Sequence, residues 1–232
     1  MANEERDFAP FIAALTTVLD SLGDGCVFLV IDSVSTDRTL PLARELAERD
    51  PRYRVVWAPQ NRNVVDAYIA GFRAALAGDY EWVVEMDAGL SHDPAAIPEF
   101  LNALAEGHDC AFGSRFVPGG SMNDSPLARI LFSRGGSIAA WILLGSRMHD
   151  MTSGFEAFRR EVVVNLVAFP LRSEAHFFQT EVRHLARKRM HTEIPITYRA
   201  PSPGVRGASI QNAVACLFHY ARLRLLGQSP SI

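Results

Sequence analysis

The chain has 232 residues, of which 48% are hydrophobic and 21% charged, so it can bury one continuous core and is not an intrinsically disordered protein. A formal net charge of −3 excludes a typical nucleic-acid binder, because binding by counterion release needs a dominant basic face. The three cysteines lack metal-ligand spacing, the first residues are too acidic for a signal peptide, and no uninterrupted apolar run has the length of a membrane span. We expect a cytoplasmic protein, either free or peripheral on the cytoplasmic face of a membrane.

The first half of the chain alternates short apolar runs with longer amphipathic stretches, which is typical of strand–helix–strand units in a parallel sheet. Asp37 is placed to cap one helix, and Asp93 with Pro94 is placed to begin another. In chain order we predict a helix at 8–22, a strand at 26–32, a helix at 39–49, a strand at 54–58, a helix at 64–76, a strand at 82–87, a helix at 94–106 and a strand at 109–112.

The second half is less regular. A glycine-rich loop near residue 119 precedes a long predicted helix at 126–144, and a late strand is predicted at 192–198. A last helix is predicted at 209–226. No linker or internal repeat divides the chain, so we predict one domain over residues 1–232.

A carboxylate, Asp87, stands at the end of the predicted strand at 82–87. Open α/β sheets bind their ligands at the carboxyl ends of the strands, which makes this side chain a candidate for ligand contact. His92, a few residues further on, is more typical of a packing histidine than of a ligand.

Eight short motifs follow one another along most of the chain. They lie at residues 31–39, 86–94, 97–100, 113–116, 129–134, 150–155, 178–181 and 193–196. In this order they resemble the family 2 glycosyltransferases of GT-A fold, in the branch of the dolichyl-phosphate (polyprenyl-phosphate) mannosyltransferases. Examples are Met-Asp-Ala-Gly-Leu-Ser-His-Asp-Pro at 86–94 and Asp-Met-Thr-Ser-Gly-Phe at 150–155.

The resemblance implies an α/β fold of the GT-A type, with a mostly parallel central sheet flanked by helices in a single domain. Residues 1–116 would form the nucleotide-sugar-binding half and residues 117–232 the acceptor-side half. We expect the family's first strand to be missing or truncated in this sequence, because Asn3-Glu4-Glu5 resembles the end of the family's opening motif.

The resemblance also implies a reaction: transfer of a hexose from a nucleotide-sugar donor, of the GDP-mannose or UDP-glucose type, to a polyprenyl phosphate with inversion at the anomeric carbon. The expected donor-binding residues are Asp32, Ser33, Asp87, Ala88 and Gly89. The departing diphosphate carries negative charge, which Mg²⁺ or Mn²⁺ with Asp87 as a ligand would stabilise.

Guanidinium groups match phosphate oxygens, so Arg115 and Arg129 are, together with Asp87, the expected catalytic residues. An ordinary solvated helix face is the alternative for Arg129 and for Arg134. Helical geometry would place Gln179 and Glu181 on opposite sides, so that at most one faces the site. The expected acceptor-side residues are Arg134, Asp150, Thr152, Ser153, Gln179 and Glu181.

Three substitutions depart from the family pattern. Gly89 stands where a second metal carboxylate is expected, Ser33 replaces an aspartate, and residues 63–66 replace a glycine-rich loop. Two hypotheses follow. The chain is a glycosyltransferase, or it is a catalytically impaired relative that binds a nucleotide sugar or a partner.

Overall fold

The computed structural model describes residues 1–122, 125–199 and 207–232. Its helices and strands alternate through the first half, and a short 3₁₀ turn (Pro94–Ala96) precedes α4. In chain order the elements are α1 (Phe8–Leu22), β1 (Val27–Ile31), α2 (Thr39–Arg49), β2 (Tyr53–Trp57), α3 (Val64–Leu76), β3 (Trp82–Glu85), α4 (Ile97–Ala105), β4 (Cys110–Ser114), α5 (Leu127–Leu144), β5 (Glu156–Arg159), α6 (Arg160–Ala168), α7 (Phe177–Ala186), β6 (His191–Pro195) and α8 (Gly207–Leu225).

The strands form two sheets. β1 and β2 are parallel, with Val27 opposite Tyr53, and the second sheet has the order β3, β5, β4, β6. β5 runs antiparallel to both β3 and β4, whereas β6 is parallel to β4. Within the larger sheet β3, β4 and β6 therefore share one direction, and β5 is the reversed strand between β3 and β4. The expected parallel arrangement holds for the other described strands of each sheet, and β5 is an antiparallel insertion that the sequence does not predict.

A gap separates the two sheets, since no pairing joins β1 to β3 in the described residues. The described residues ahead of α1 form no strand, although the Met1 amine donates a hydrogen bond to the Val30 carbonyl at 2.6 Å. Residues of both facing strands line the space between the sheets. The edge of β1 that faces β3 is consequently exposed to a cleft.

Two apolar clusters pack against opposite sides of the larger sheet. One joins α1 and α4 to the strands, with Phe100 stacked on Phe155 at a centroid distance of 4.3 Å. The other joins α3, α6, α7 and α8, with Phe112 and Phe158 at its centre. The carboxyl ends of β1 and β3 lie between these clusters and open to the cleft.

Capping groups fix several helix ends as the sequence indicates. The Asp37 carboxylate accepts the amide hydrogen of Thr39 at 2.9 Å, and Asp93 accepts that of Ala95 at 3.0 Å. Asn63 caps α3 by accepting hydrogen bonds from two amides of its first turn. The segment expected in place of a glycine-rich loop is thus the start of a helix.

α5 differs from the other helices. Among the described residues it is the helix whose length and composition would allow it to cross a bilayer, and 22% of it is buried. The sequence expectation concerns only uninterrupted apolar runs, and by that criterion no segment is long enough to span a membrane. α5 is not such a run, because two arginines and two serines interrupt it. By length and mean composition α5 therefore departs from that expectation.

Candidate active site

A cleft of about 2090 Å³ runs from the gap between β1 and β3 to the space between α5 and α8. Its middle section lies at the carboxyl ends of β1 and β3, where open α/β sheets bind ligands. Most of the polar side chains of the lining are found there. They include Glu4, Asp32, Asn63, Tyr68, Glu85, Asp87, Arg115, Arg129, Thr152, Ser153 and Gln179.

Asp87 lies two residues beyond the end of β3, at the middle of the cleft. Its Oδ1 accepts a hydrogen bond from the Tyr68 hydroxyl at 2.8 Å. Burial, together with the charge of Asp87, raises the pKa of Tyr68, so that the hydroxyl stays a neutral donor. The Tyr68 ring is fixed by stacking on Phe178 at 4.9 Å. Asp87 is thereby oriented from the α3 side.

The loop between α5 and β5 approaches Asp87 from the opposite side. A β-carbon at Gly154 would lie 3.0 Å from Gln179 Nε2 and 3.3 Å from both carboxylate oxygens of Asp87, so a side chain there would have to displace these groups. Thr152 and Ser153 line the cleft beside it. The motifs at 86–94 and 150–155, which are distant in the sequence, therefore face each other across the cleft.

Asp32 and Ala88 also line the cleft, as expected for donor-binding residues. Asp32 Oδ1 accepts the amide hydrogen of Val34 at 3.0 Å, which shapes the turn after β1. Ser33 is not among the lining residues, and its hydroxyl donates to the Pro59 carbonyl at 3.2 Å. The structure therefore does not support Ser33 as a donor contact.

Gly89 has a φ angle of +79°, in the left-handed region that glycine tolerates best. A β-carbon there would lie 3.1 Å from the Glu4 Oε2 atom. Burial raises the pKa of Glu4, the N-terminal ammonium opposes this shift, and Asp87 adds to it. A carboxylate from the N-terminal segment thus occupies the space toward which a side chain at position 89 would point.

Arg115 makes an ion pair with Asp150 in the protein interior. Its Nε and Nη2 atoms donate to the two carboxylate oxygens at 2.7 and 2.8 Å, and Nη2 also donates to the Thr152 hydroxyl at 2.6 Å. Burial would raise the pKa of Asp150, but the hydrogen bonds and charge of Arg115 hold it at about 2. The fork expected to clamp a phosphate is therefore already engaged. Arg115 fixes the 150–155 loop instead.

Arg183 supports the same loop from behind. Its guanidinium is fully buried, donates to Glu156 Oε1 at 2.7 Å, and reaches the backbone carbonyls of Asp150, Gly113 and Ser153. Five donors in a rigid fork allow one side chain to hold several acceptors. The acceptor-side loop is thus held by two buried arginines from two different elements.

The two arginines of α5 differ in position. Arg129 is half-buried, lines the cleft, and donates to the Tyr198 hydroxyl at 2.8 Å with its guanidinium 5.1 Å from that ring centroid. Arg134 is exposed and lies over the Phe116 ring at 5.1 Å, outside the cleft. Of this pair, Arg129 is the side chain placed to meet a ligand.

Gln179 and Glu181 point in different directions, as helical geometry predicts. Gln179 lines the cleft and donates to Glu85 Oε1 at 3.0 Å. Glu181 accepts the amide hydrogens of Arg172 and Ser173 and a hydrogen bond from Tyr220, away from the cleft. The expectation that Glu181 belongs to the acceptor side is wrong, because its carboxylate closes the loop between α6 and α7.

Residues 3–166 match the profile described as Glycosyl transferase family 2, which covers more than half of the chain. The chain belongs to this family. The resemblance inferred from the eight motifs is therefore confirmed, and the protein is a glycosyltransferase.

Relatives of this glycosyltransferase are similar over most of its length. It is 36% identical over 203 residues to a polyprenol monophosphomannose synthase of Mycolicibacterium smegmatis. The aligned region covers 86% of this chain and 77% of the relative. It is 35% identical over 172 residues to an undecaprenyl-phosphate mannosyltransferase of Micrococcus luteus, over 73% of this chain and 70% of the relative.

Solved structures show the fold. Glucosyl-3-phosphoglycerate synthase of Mycobacterium tuberculosis, in complex with Mn²⁺, UDP and phosphoglyceric acid, matches with a TM-score of 0.65 at 17% identity, over 100% of this chain and 77% of the other. Its complex with UDP matches with a TM-score of 0.64 at 20% identity, over 96% and 78%. The α/β fold of this glycosyltransferase is accordingly of the GT-A type.

Metal ligands are few in this glycosyltransferase. Within residues 1–122, 125–199 and 207–232, no group of three or more His, Cys, Asp or Glu side chains is arranged to hold a metal ion. Mg²⁺ and Mn²⁺ accept sites with one or two carboxylates when substrate phosphates complete the shell. Asp87 and Glu4 meet that requirement, because both are carboxylates that line the cleft.

Three residues that shape the site have no site role in the motif pattern. Tyr68 orients Asp87, Glu4 takes the place of a side chain at position 89, and Arg183 holds the acceptor-side loop. Tyr68 lies on the face of α3 that is turned toward β3, and this position is the sequence feature that would identify it. The full burial of Arg183 has no counterpart in the local sequence pattern.

Proposed function

We propose that this glycosyltransferase moves mannose from GDP-mannose to a polyprenyl phosphate, with inversion at the anomeric carbon. The observation that supports this proposal is the composition of the cleft along its length. It is acidic beside Asp32 and Asp87, carries Arg129 further along, and becomes apolar between α5 and α8. A charged donor, an acceptor phosphate and an apolar tail need these three environments in this order.

The donor occupies the acidic section in this proposal. Asp32 and Asp87 accept hydrogen bonds from ribose or sugar hydroxyls, and Tyr68 holds Asp87 in position. A divalent cation would be held by Asp87 and Glu4 and would supply positive charge to the departing diphosphate. The names of the two mannosyl-transferring relatives favour mannose over glucose.

The acceptor phosphate lies between Arg129 and the 152–154 loop. Arg129 contributes positive charge. Ser153 lines the cleft and is only 2% exposed, and its hydroxyl has no hydrogen-bond partner in the described part of the chain, so it is available to a phosphate oxygen. Arg115 acts as a positioning residue, since its fork holds Asp150 and Thr152. A phosphate oxygen is an anion at neutral pH and can attack without a strong general base.

The apolar section of the cleft accommodates the first isoprene units. Small and apolar side chains from the middle of α5 and from residues 210–217 of α8 form its two walls. They are Phe132, Gly136 and Ala139 on α5, and Ile210, Ala213, Val214 and Leu217 on α8. Small residues at 136 and 139 leave room for a branched hydrocarbon chain between the helices. In this proposal the protein works at a membrane surface, because its acceptor is a lipid phosphate.

Mass spectrometry of the reaction products tests the proposal. The purified chain is incubated with a short-chain polyprenyl phosphate, Mn²⁺, and either GDP-mannose or UDP-glucose. We expect a polyprenyl phosphomannose with GDP-mannose, with the β-anomer identified by NMR because the donor is the α-anomer. An Asp87→Asn variant is the matched negative control.

Two outcomes would overturn the proposal. A glucosyl product in place of the mannosyl product would overturn the donor assignment. Thermal stabilisation by a donor without any product would instead favour the impaired, donor-binding relative, since ligand binding alone stabilises a folded protein.

A further inference from the structure

α5 has most of its large apolar side chains outside and mainly small side chains inside. Its buried residues are Ser133, Ser137, Ala140 and Leu144. The exposed ones include Leu127, Leu131, Phe132, Ile138, Trp141 and Ile142, each more than half exposed. Helices of water-soluble proteins normally bury the apolar stripe, so this reversal marks the outer face as an interaction surface.

Most of these exposed side chains share one face of α5. Leu127, Leu131, Ile138, Trp141 and Ile142 recur at the three- and four-residue spacing of one helix side. At about 1.5 Å per residue, the 18-residue helix is about 27 Å long. The exposed stripe therefore extends along the whole helix rather than forming a local patch.

α8 carries a second exposed apolar stripe beside the first. Ile210, Val214, Phe218 and Leu225 are exposed along it. α5 and α8 pack together, and Arg224 Nη1 donates to the Ile142 carbonyl at 2.8 Å near their C-terminal ends. Residues 128–139 of α5 and residues 209–217 of α8 line the same cleft, and both stretches lie on the N-terminal side of the contact between Arg224 and Ile142. The two helices thus run side by side in the same direction.

The charges on these helices have one sign. Neither α5 nor α8 contains an aspartate or glutamate, although the chain has 26 acidic residues. Arg134 is exposed on α5, while Arg147, Arg222 and Arg224 are exposed at or beyond the C-terminal ends of the two helices. Arginines beside an apolar face with an exposed Trp141 are typical of helices that lie in the headgroup region of an anionic bilayer.

We propose that the exposed faces of α5 and α8 form a membrane-docking surface that lies in the plane of an anionic bilayer. The apolar stripes enter the boundary between headgroups and acyl chains, and the arginines contact lipid phosphates. The cleft opens between the same two helices, so a lipid acceptor reaches it without leaving the bilayer. This last statement rests on the proposed function, whereas the docking surface itself depends on exposure and charge.

Vesicle co-sedimentation tests the surface. The full chain is mixed with phosphatidylcholine vesicles, with or without phosphatidylglycerol, and the bound fraction is measured. We expect binding to the anionic vesicles that is weakened about tenfold or more in a Leu131→Ser/Trp141→Ser/Phe218→Ser variant. A Val164→Ser/Met190→Ser variant, which changes two exposed apolar residues on other elements, should bind like the wild type. Arg147→Gln/Arg222→Gln should reduce binding to anionic vesicles and leave binding to neutral ones unchanged.

Three results would overturn the inference. They are no binding of the wild type to anionic vesicles, equal loss in the control variant, or a stable dimer in light scattering that the triple variant dissociates. All the substituted side chains are exposed, and an unchanged melting temperature would exclude unfolding as the cause. Transfer to a short-chain acceptor without vesicles separates the two proposals. Binding without transfer would contradict only the proposed function, and transfer without binding would contradict only the docking surface.

Discussion

The acceptor side and the donor side of the cleft are built in different ways. On the acceptor side, Asp150 is fully buried and paired with Arg115, and Arg183 holds the backbone of the same loop. On the donor side, Glu4, Asp32 and Asp87 all line the cleft. Burial lowers the pKa of the N-terminal amine, and the negative charges of these three carboxylates oppose that shift. The acceptor wall is therefore neutralised by the protein's own cations. The donor wall keeps carboxylates that a cation and a donor can use.

The largest expected effect is the loss of folding stability when the buried ion pair of the acceptor side is broken. Asp150→Asn leaves Arg115 buried without its charge partner, and we expect a loss of about 3 to 5 kcal/mol in the free energy of unfolding. Because the pKa of Asp150 is about 2 in the folded protein against 3.8 ordinarily, the contribution of this carboxylate is present above about pH 4 and lost as the pH falls toward 2. Urea denaturation across this pH range measures both effects.

An exposed pair provides the control for that measurement. Asp66 pairs with Arg62, whose side chain is 82% exposed, and Asp66→Asn should cost less than about 1 kcal/mol. If Asp150→Asn and Asp66→Asn cost the same, the acceptor wall is not held by its buried pair. The contrast between the two sides would then have no energetic basis.

The donor side should respond in activity rather than in stability. We expect Asp87→Asn to lower kcat about 100- to 1000-fold, as the loss of a preorganised electrostatic group does, with little change in melting temperature. Asp93→Asn is the matched control, because Asp93 caps the 3₁₀ turn and pairs with Arg199 outside the lining of the cleft. Retention of more than about a tenth of the activity by Asp87→Asn would contradict its assigned role.

Local sequence patterns predicted the first half of the fold well. The bounds of α1, α2 and α3 agree with the predicted helices, because each has a clear apolar periodicity. β5, α6 and α7 are not predicted by the sequence. Every residue of α7 is buried, including Gln179, Glu181 and Arg183, so no polar face marks it as a helix. Burial of paired polar groups depends on tertiary partners that a local pattern does not contain.

The site was predictable to a similar degree. Asp87 follows from its place at a strand end, and the structure places it in the cleft. Arg115 was expected to clamp a phosphate because its type and loop suit one, but a partner 35 residues away engages its fork. Glu4 could not be found from spacing, since it approaches Gly89 across 85 residues of sequence. Charge pairs formed over such distances decide which of the candidate side chains face the ligand.

A smaller effect concerns the metal. If Glu4 and Asp87 together hold the cation, Glu4→Gln should weaken Mn²⁺ binding in the presence of donor about tenfold, a difference of about 1.4 kcal/mol. Titration of the free Mn²⁺ signal by electron paramagnetic resonance measures this without turnover. Glu5→Gln is the control, because the Glu5 carboxylate accepts the Arg38 amide hydrogen at 3.2 Å and is absent from the cleft lining.

A second substitution sharpens the test of the metal. Gly89→Asp in the Glu4→Gln background returns one carboxylate to the space that Glu4 leaves, and aspartate tolerates the left-handed backbone better than most residues. We expect Mn²⁺ affinity to recover toward the wild-type value. Equal affinity of the wild type and Glu4→Gln would show that the cation does not use Glu4, and the acidic donor wall would then serve the nucleotide alone.

The smallest effect tests how the donor side positions its carboxylate. Tyr68→Phe removes the hydroxyl that donates to Asp87 Oδ1 and keeps the ring that stacks on Phe178. We expect kcat/KM to fall about fivefold, which corresponds to about 1 kcal/mol for one hydrogen bond. Tyr53→Phe is matched in chemistry, since the Tyr53 hydroxyl is hydrogen-bonded to Thr16 at 2.7 Å outside the cleft lining. It should lower stability and leave kcat/KM unchanged. If both variants reduce kcat/KM equally, the Tyr68 hydroxyl stabilises the fold in general and does not orient Asp87 in particular.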